Sequence, residues 1–532
     1  MRKTKIICTL GPSTDNADIL KDLIINGMDV ARINMSHQNH QKHLERIYML
    51  KNLRKKLSLP IALLMDTKGP EIRIGKFKNS KIQIEKGQVF TLTTDDVLGD
   101  ESMVSVSFSG LVNEIIVGTK ILIDDGLVCL LVKKIIGNSI ICEALNSGFL
   151  SSNKGINIPG LKLSLPFISQ QDREDIKFAV NHEFDYIAAS FTRNADDIKQ
   201  LRKELIRLNG SYIKIIAKIE NSEGIANIDE IIKVADGIMI ARGDLGVEIP
   251  LENIPIIQKK LIKKACDAGK HVITATQMLD SMMKNPRPTR AEINDVANAI
   301  YDGTSAIMLS GETAAGLYPI ESVKIMASIA TKTESDIDYK KRFFNLPVNL
   351  KSTITSAISH ATCTTALDLG ASAILTLTKS GKIAQLLSKY RPSCPIIVGT
   401  SNYTIWRQLN LLWGVIPFFI EHEFNEFNQI FEDFIDMVHD KKHIKDGDLI
   451  VITAGLPLGK IYSTNFLKVH LVGNVLISGT GITNTSAQGK LCICQNEKDA
   501  IKKFSPNDVL VIPETSNNIL DIIKNASAII TE

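Results

Sequence analysis

The chain has 532 residues, of which 44% are hydrophobic and 23% charged, and its net charge is only +4 at pH 7. That length supports about three to four domains with a large core, while the near-neutral charge and the 5% aromatic content give no bulk basis for binding nucleic acid or a membrane surface. No apolar run approaches the ~18 residues of a membrane span, and the chain enters a strand-like Lys-Ile-Ile-Cys-Thr-Leu at once, with no signal-peptide pattern. A cytoplasmic location follows as the expectation, with an organelle left open.

From the start, apolar runs alternate with helical segments. Strands are predicted over Thr4 to Leu10, Met28 to Met35, Ile61 to Met65, Tyr186 to Ser190, Ile213 to Ile219, Gly237 to Ala241, His271 to Ala275 and Ala306 to Ser310. Eight such β/α units predict an α/β fold built on a closed parallel (β/α)8 barrel, whose functional groups gather at the carboxyl ends of the strands. Those ends are polar: Arg32, Asn34 and Ser36; Asp66 and Thr67; Lys218 and Glu220; Arg242 and Asp244; Thr276; Ser310 and Glu312. Between Glu220 and Gly237, apolar residues at 228, 231, 232 and 235 have helical spacing, and Asn227 followed by Glu230 predicts an N-terminal cap. Thr289 with Glu292 predicts a capping box. The basic run Lys51 to Lys56 is read as a solvated helix end.

The stretch from 70 to 165 changes to short alternating strands, including Lys81 to Glu85, Val89 to Thr93 and Ile121 to Asp125. It is read as an inserted all-β domain emerging from the active rim, where it can act as a lid. The barrel domain is therefore placed at 1–69 and 166–339. From 340 to 472 strands are expected at Ala373 to Thr376, Pro395 to Gly399, Gly414 to Ile420, Asp448 to Thr453 and Val469 to Leu471, an open α/β domain. Its loop Thr378, Lys379, Ser380, Gly381 and Lys382 lies between strand and helix and suits a phosphate, although a plain turn has the same pattern. Gly455-x-x-x-Gly459-Lys460 is one residue short of a P-loop and is rejected as one. Residues 473–532 form a small extra module with strands at Lys490 to Cys494 and Asp508 to Ile512. Eight scattered cysteines include no C-x-x-C, and Cys492 and Cys494 are one residue apart, so reduced buried thiols are expected rather than zinc.

Glu220 and Asp244 are hard oxygen donors suited to Mg²⁺ or Mn²⁺. Lys218 shares a strand face with Glu220, where it can neutralise a transferring group or a developing enolate, or act as a Schiff-base nucleophile. Arginine at 32 suits phosphate, whereas the oxygens of Asn34, Ser36, Asp66 and Thr67 suit either a monovalent cation or a hydrogen-bonded strand end. An anionic, phosphorylated or carboxylated substrate fits this cationic site.

The segments A-R-I-N-M-S-H (31–37), M-D-T-K-G-P-E-I-R (65–73), I-A-K-I-E-N (216–221), M-I-A-R-G-D-L-G-V-E (239–248), T-A-T-Q-M-L-D-S-M (274–282), P-R-P-T-R-A-E (286–292) and S-G-E-T-A-A-G-L-Y-P (310–319) closely resemble the pyruvate kinase family. The resemblance runs in order from residue 1 to about 472 and implies phosphoryl transfer from phosphoenolpyruvate to ADP, giving pyruvate and ATP. It implies Mg²⁺ or Mn²⁺ on Glu220 and Asp244, and K⁺ on Asn34, Ser36, Asp66 and Thr67, with Glu71 the residue type of K⁺-dependent members. It further implies that Lys218 stabilises the transferring phosphoryl, that Gly243, Asp244 and Thr276 contact phosphoenolpyruvate, and that the enolate is protonated near Thr276. Arg32 and Arg73 would meet phosphates, His37 and Lys154 would approach the nucleotide with Asn34 nearby, and loop 378–382 would take a phosphorylated allosteric effector. A homotetramer is the usual family assembly. The chain lacks the longer N-terminal segment of animal members, and its last module resembles part of the mobile phosphohistidine domain of phosphoenolpyruvate-utilising enzymes, without the segment that would carry the histidine. Metal-dependent aldolases, which also bind pyruvate enolates on barrels, and a catalytically inactive sensor are the competing readings.

Overall fold

Eight short runs rich in Ile, Val, Ala and Met form eight parallel strands: β1 (Lys5–Thr9), β2 (Val30–Asn34), β3 (Ala62–Asp66), β4 (Tyr186–Ala189), β5 (Lys214–Ile219), β6 (Gly237–Ala241), β7 (His271–Ala275) and β8 (Ala306–Leu309). They close in sequence order into one barrel, β8 pairing with β1. The computed structural model describes residues 2–345, 353–421, 427–455, 464–473, 479–483, 485 and 487–532. The eight predicted barrel strands are all present, with bounds shifted by up to two residues at an end.

Alternation along each strand builds two cores. Ile7, Val30, Leu64, Tyr186, Ile216, Met239, Ile273 and Met308 fill the barrel interior, whereas their neighbours Ile6, Ala31, Leu63, Ile187, Ala217, Ile238, Val272 and Ile307 pack beneath the surrounding helices. The Thr289–Glu292 capping box opens helix Arg290–Asp302 as expected. The Asn227 cap does not form. Two helices stand there instead, Ser222–Ala226 capped by Asn221 and Ile228–Val234 without a side-chain cap. Asn227 donates to the Arg193 carbonyl and Glu230 accepts from the Ala195 N–H, so tertiary partners outcompete the local motif.

Between β3 and β4 the chain makes a seven-stranded mixed sheet and a separate two-stranded ribbon, Lys81–Ile84 with Gly148–Ser151, around a core of their own. Beyond the barrel, β9 (Ala373–Leu377), β10 (Ile396–Thr400), β11 (Val415–Phe419), β12 (Leu449–Ala454) and β13 (Phe466–Leu471) form an open sheet ordered β11-β10-β9-β12-β13. Only its edge strand β13 is antiparallel. Gly459 and Lys460 lie outside the described residues.

The α/β sheet is anchored to the end of the barrel opposite the polar rim. Leu411 is fully buried in the barrel's interior cluster. Around it Tyr186 Oη donates to the Gln408 carbonyl at 2.5 Å, Asn410 Nδ2 to the Asp29 carbonyl at 2.9 Å, and Arg407 Nε to Asp185 Oδ1 at 2.8 Å.

By packing, the chain divides into Met1–Gly473 and Asn474–Glu532. The second unit is a three-stranded parallel sheet, β14 (Leu491–Ile493), β15 (Val509–Val511) and β16 (Ala528–Ile530), with a core of Cys492, Cys494, Ala500, Leu510, Ile512 and Ile519. Among the described residues no helix is long and apolar enough to cross a membrane.

If Leu411 closes the barrel floor, Leu411→Ala should cost about 2–5 kcal/mol, the range for a large-to-small change in a packed core. A urea unfolding midpoint unchanged from that of the parent protein would show that the plug carries no stability.

Candidate active site

Strand alternation decides which rim side chains meet. The interior positions Ile216, Leu64, Val30 and Ala188 set Lys218, Asp66, Arg32 and Ser190, each two residues on, into the mouth of the barrel. Asp66 Oδ1 accepts from Lys218 Nζ at 2.9 Å and from Ser190 Oγ at 3.0 Å, while Oδ2 accepts from Arg32 Nε at 2.7 Å. Arg32 also donates to Thr9 Oγ1 at 2.9 Å. Asp66 is 1% exposed. Burial alone would push its carboxyl up, but Arg32 and Lys218 outweigh burial and hold it below the usual carboxylate range. Burial likewise pulls Lys218 down, and Asp66 and Glu220 overcome it, so the ammonium is held well above an ordinary lysine. Both charges therefore persist across the neutral range.

Glu220 sits at the next inward position of the same strand line. Its Oε2 accepts from the Phe191 N–H at 2.5 Å, and its Oε1 lies 2.8 Å from Lys218 Nζ. That contact is a buried ion pair, and Lys218 is the charge partner of Oε1. Burial pushes the Glu220 carboxyl up to about 7; Lys218 opposes the shift and the Asp244 charge adds to it. Asp244 is raised for the same first reason, burial, with Lys218 opposing and Asp125, from the turn after strand Lys120–Ile123, adding repulsion. Two carboxyls that burial holds above their usual range, with Asp244 adding repulsion at Glu220 and Asp125 at Asp244, are a fit for a divalent cation, which would relieve the penalty on both. Among the described residues no group of three or more His, Cys, Asp or Glu side chains is gathered for a metal. Two carboxylates suit a hard cation that takes its other oxygens from substrate and water.

Arg242 does not join this cluster. Met239 and Ala241 are the inward positions of β6, so Arg242 turns outward. It donates to the Ala275 carbonyl at 3.2 Å, the Thr276 carbonyl at 2.7 Å and Asp295 Oδ1 at 2.6 Å. Thr276 has φ +66°, a left-handed conformation that a β-branched residue adopts at a cost of roughly 1–3 kcal/mol. The Arg242 bonds hold it there, and its Oγ1 accepts from the Gly243 N–H at 2.8 Å.

Asn34 and Asp66 are register partners on β2 and β3. Asn34 Oδ1 accepts from the Ser36 N–H, and Thr67 Oγ1 accepts from the Ser190 N–H at 3.0 Å while the Thr67 carbonyl accepts from Ser190 Oγ at 2.6 Å. His37, Arg73, Lys154, Asp124, Asp125 and Asp244 line a cavity of about 580 Å³ between the barrel mouth and the inserted sheet. Arg73 pairs with Glu71 at 2.6 Å and Lys154 with Asp124 at 2.8 Å. Lys218, Glu220, Arg32 and Thr276 do not line this cavity, whereas Asp244, Asn221 and Phe191 do. A larger cleft of about 1090 Å³ opens at the other end of the barrel, beside Arg2, Asp29 and Trp406. The charge cluster, not cavity size, picks out the site. Loop 378–382 follows β9 in the α/β sheet; Gly381 has φ +77°, its N–H donates to Thr378 Oγ1 at 2.9 Å, and Lys382 begins the next helix.

The sequence reading missed Ser190, Thr9, Asp125 and Asp295. Ser190 carried a usable signal, since it shares strand parity with Ala188. The other three depend on pairings between distant elements.

The family model described as pyruvate kinase, barrel domain, matches residues 1–323, and that of the pyruvate kinase alpha/beta domain matches 356–470. The chain belongs to the pyruvate kinase family. A pyruvate kinase of Geobacillus stearothermophilus is 46% identical across all of this chain and 91% of its own length, and one of Sporosarcina psychrophila is 44% identical over the same shares. The crystal structure of a pyruvate kinase from Cryptosporidium parvum superposes with a TM-score of 0.83 at 38% identity, covering 88% of this chain and 96% of that one.

A divalent cation binding at Glu220 and Asp244 would have to displace the protons that burial favours on both carboxyls. Mg²⁺ affinity of the substrate-free protein should therefore rise as pH increases toward about 7 and level off above it. Calorimetric titration on either side of that pH checks this; a flat affinity would mean both carboxylates are already ionised in acid.

Proposed function

We propose that this chain transfers the phosphoryl group of phosphoenolpyruvate to ADP, yielding pyruvate and ATP in glycolysis. The observation that carries this reading is Lys218: a buried ammonium held cationic by Asp66 and Glu220, beside two carboxylates that want a cation. Phosphoryl transfer asks for positioning and charge neutralisation more than for covalent help. A Schiff base would need a lysine that gives up its proton near neutrality, and the fixed charge on Lys218 disfavours that role.

In this reading Glu220 and Asp244 hold Mg²⁺ or Mn²⁺, which supplies charge neutralisation at the phosphoryl oxygens. Lys218 stabilises the transferring phosphoryl and the enolate oxygen, and Arg32 orients the phosphate. Gly243, Asp244 and Thr276 contact phosphoenolpyruvate, with the strained Thr276 fixed at the face where the enolate takes a proton through water. Asn34, Ser36, Asp66 and Thr67 hold K⁺, and Glu71 marks the K⁺-dependent class. His37, Arg73 and Lys154 line the adjoining cavity and bind ADP and ATP, with Asn34 nearby. The sheet within 70–165 is the lid over a barrel made of 1–69 and 166–339; the Asp125 charge at Asp244 supports its closing over the rim. Residues 340–472 form the regulatory domain, in which loop 378–382 takes a phosphorylated effector. Residues 473–532 are a separate module for which no phosphohistidine role is proposed. A cytoplasmic homotetramer is the assembly we infer, supported by Leu251, Ile256 and Leu317, each about two-thirds exposed or more on the barrel.

A coupled assay of ATP formation from phosphoenolpyruvate and ADP should show turnover that needs both Mg²⁺ and K⁺. Lys218→Met should lower kcat by roughly 10²–10³-fold with the protein still folded, because the interaction belongs to the transition state. No turnover with both cations present would sink the activity, and a near-normal kcat in the variant would sink the role of Lys218.

Activation by sugar phosphates or nucleoside monophosphates should shift to roughly tenfold higher effector concentration in Lys379→Ala or Lys382→Ala, the loss of one charge-assisted hydrogen bond. An activation curve left in place would reduce the loop to a plain turn.

A further inference from the structure

The helix that follows the rim loop after β2 buries two polar side chains that the phosphoryl-transfer site does not use. In helix His40–Leu57 the buried positions are His43, Arg46, Ile47 and Leu50, the spacing of a single face. His43 and Arg46 are 2% and 3% exposed, and side chains of these types stay inside a protein only when they are given partners. Both reach back to the loop that leads into their own helix. His43 Nε2 meets the His37 carbonyl at 2.8 Å, and Arg46 Nη1 donates to Gln38 Oε1 at 2.6 Å. Asn39, the next residue, caps the helix by accepting from the Lys42 N–H at 3.0 Å. Three consecutive loop residues are thus pinned by the first two turns of one helix. Arg46 is anchored in turn, its Nη2 donating to Asp15 Oδ2 at 2.8 Å in the turn after β1.

The pinned loop carries a residue of the active-site cavity. His37 and Gln38 are exposed, and the His37 side chain lines the cavity between the barrel mouth and the inserted sheet. The loop's own geometry holds it only weakly: the His37 N–H reaches the Asn34 carbonyl at 3.4 Å, and Gln38 has φ +66°, a left-handed conformation uncommon for a residue with a side chain. We propose that His43 is a positioning residue for nucleotide binding, fixing through the His37 carbonyl the backbone from which His37 reaches the cavity. The inference rests on the phosphoryl-transfer reading, which puts ADP in that cavity. A loop ordered before the nucleotide arrives leaves less conformational freedom to be lost on binding, so the brace acts on ADP affinity.

The chemistry of the brace is that of one imidazole tautomer. A carbonyl only accepts, so the His43 proton sits on Nε2, and Nδ1 is buried with no hydrogen-bond partner. A second proton would have to enter there, in the interior. Burial first holds His43 below the ordinary histidine range, with Arg46 and His40 adding to the shift, against the bond to the His37 carbonyl and the charge of Asp175 on helix Gln170–Asn181. The donor is therefore in place at neutral pH, and because it engages main chain it leaves the His37 ring free to turn toward a ligand. The phosphoryl end of the site is held separately: Arg32 is locked on its strand by Asp66 and Thr9, and Lys218 by Asp66. Loosening the loop should leave phosphoenolpyruvate binding in place.

The test is steady-state kinetics of the full-length chain at saturating Mg²⁺ and K⁺, varying each substrate in turn, for the parent, His43→Phe and His43→Gln. Phe keeps most of the volume and removes the donor, whereas the Gln amide nitrogen reaches the place of Nε2. His43→Phe should raise KM for ADP roughly tenfold, the loss of one buried hydrogen bond, and move KM for phosphoenolpyruvate by less than about twofold. His43→Gln should bring KM for ADP back to within about twofold of the parent. Calorimetric titration with ADP should show the same ratios in Kd. If the Phe variant does not fold, His43→Asn, whose amide stops short of the carbonyl, takes its place. A parent that binds ADP without turnover would sink the functional reading and leave the titration to judge the brace; a parent that does not bind ADP would sink both. An unchanged ADP affinity in the Phe variant, equal rises for both substrates, or no recovery with Gln would overturn the role of His43.

Discussion

The functional end of the barrel depends on one buried carboxylate, Asp66. It accepts from an ammonium, a guanidinium and a hydroxyl at once, and it is nearly without exposure. Removing one partner from such a cluster strands a charge in low dielectric, at about 3–5 kcal/mol. The cluster is thus a weak source of stability and a strong source of position: it fixes Lys218 and Arg32 where a phosphoryl group would meet them. Held below its usual range, Asp66 contributes stability that is present above the unfolded carboxylate pKa and is lost as pH falls through the lowered value.

Two further constraints keep the rim in register. Leu411 fills the barrel floor, and Tyr186, which hydrogen-bonds the same segment, stands on the strand that leads to Ser190. The α/β sheet and the Asp66 cluster are in this way joined along β4. At the rim, Thr276 is kept in an unfavourable backbone conformation by Arg242, itself anchored on Asp295 of a helix. The conformational cost is met by an ion pair outside the site, which leaves the hydroxyl of Thr276 aimed at Gly243.

Much of this was legible in the chain. Eight β/α periods gave the barrel, and inward parity alone placed Arg32, Asp66, Lys218 and Glu220 on one mouth, because a strand's period of two leaves no freedom over which face a side chain takes. The same rule, carried across β6, would have turned Arg242 away from the cluster, where charge type alone had grouped it with Lys218. The Asn227 cap failed for another reason: its amide and the Glu230 carboxylate found partners on a neighbouring loop and helix, and a local motif has no way to register that competition.

The sequence by itself determined the element order, the inward faces of the strands and the family to which the chain belongs, since these follow from periodicity and motif. Tertiary structure decided what each charge does. The ion pair of Glu220 with Lys218, the approach of Asp125 to Asp244 and the brace from Asp295 all depend on distances that strand pairing and packing set. The energy of a buried charge depends on its few nearest neighbours, and most of those neighbours are remote in the chain.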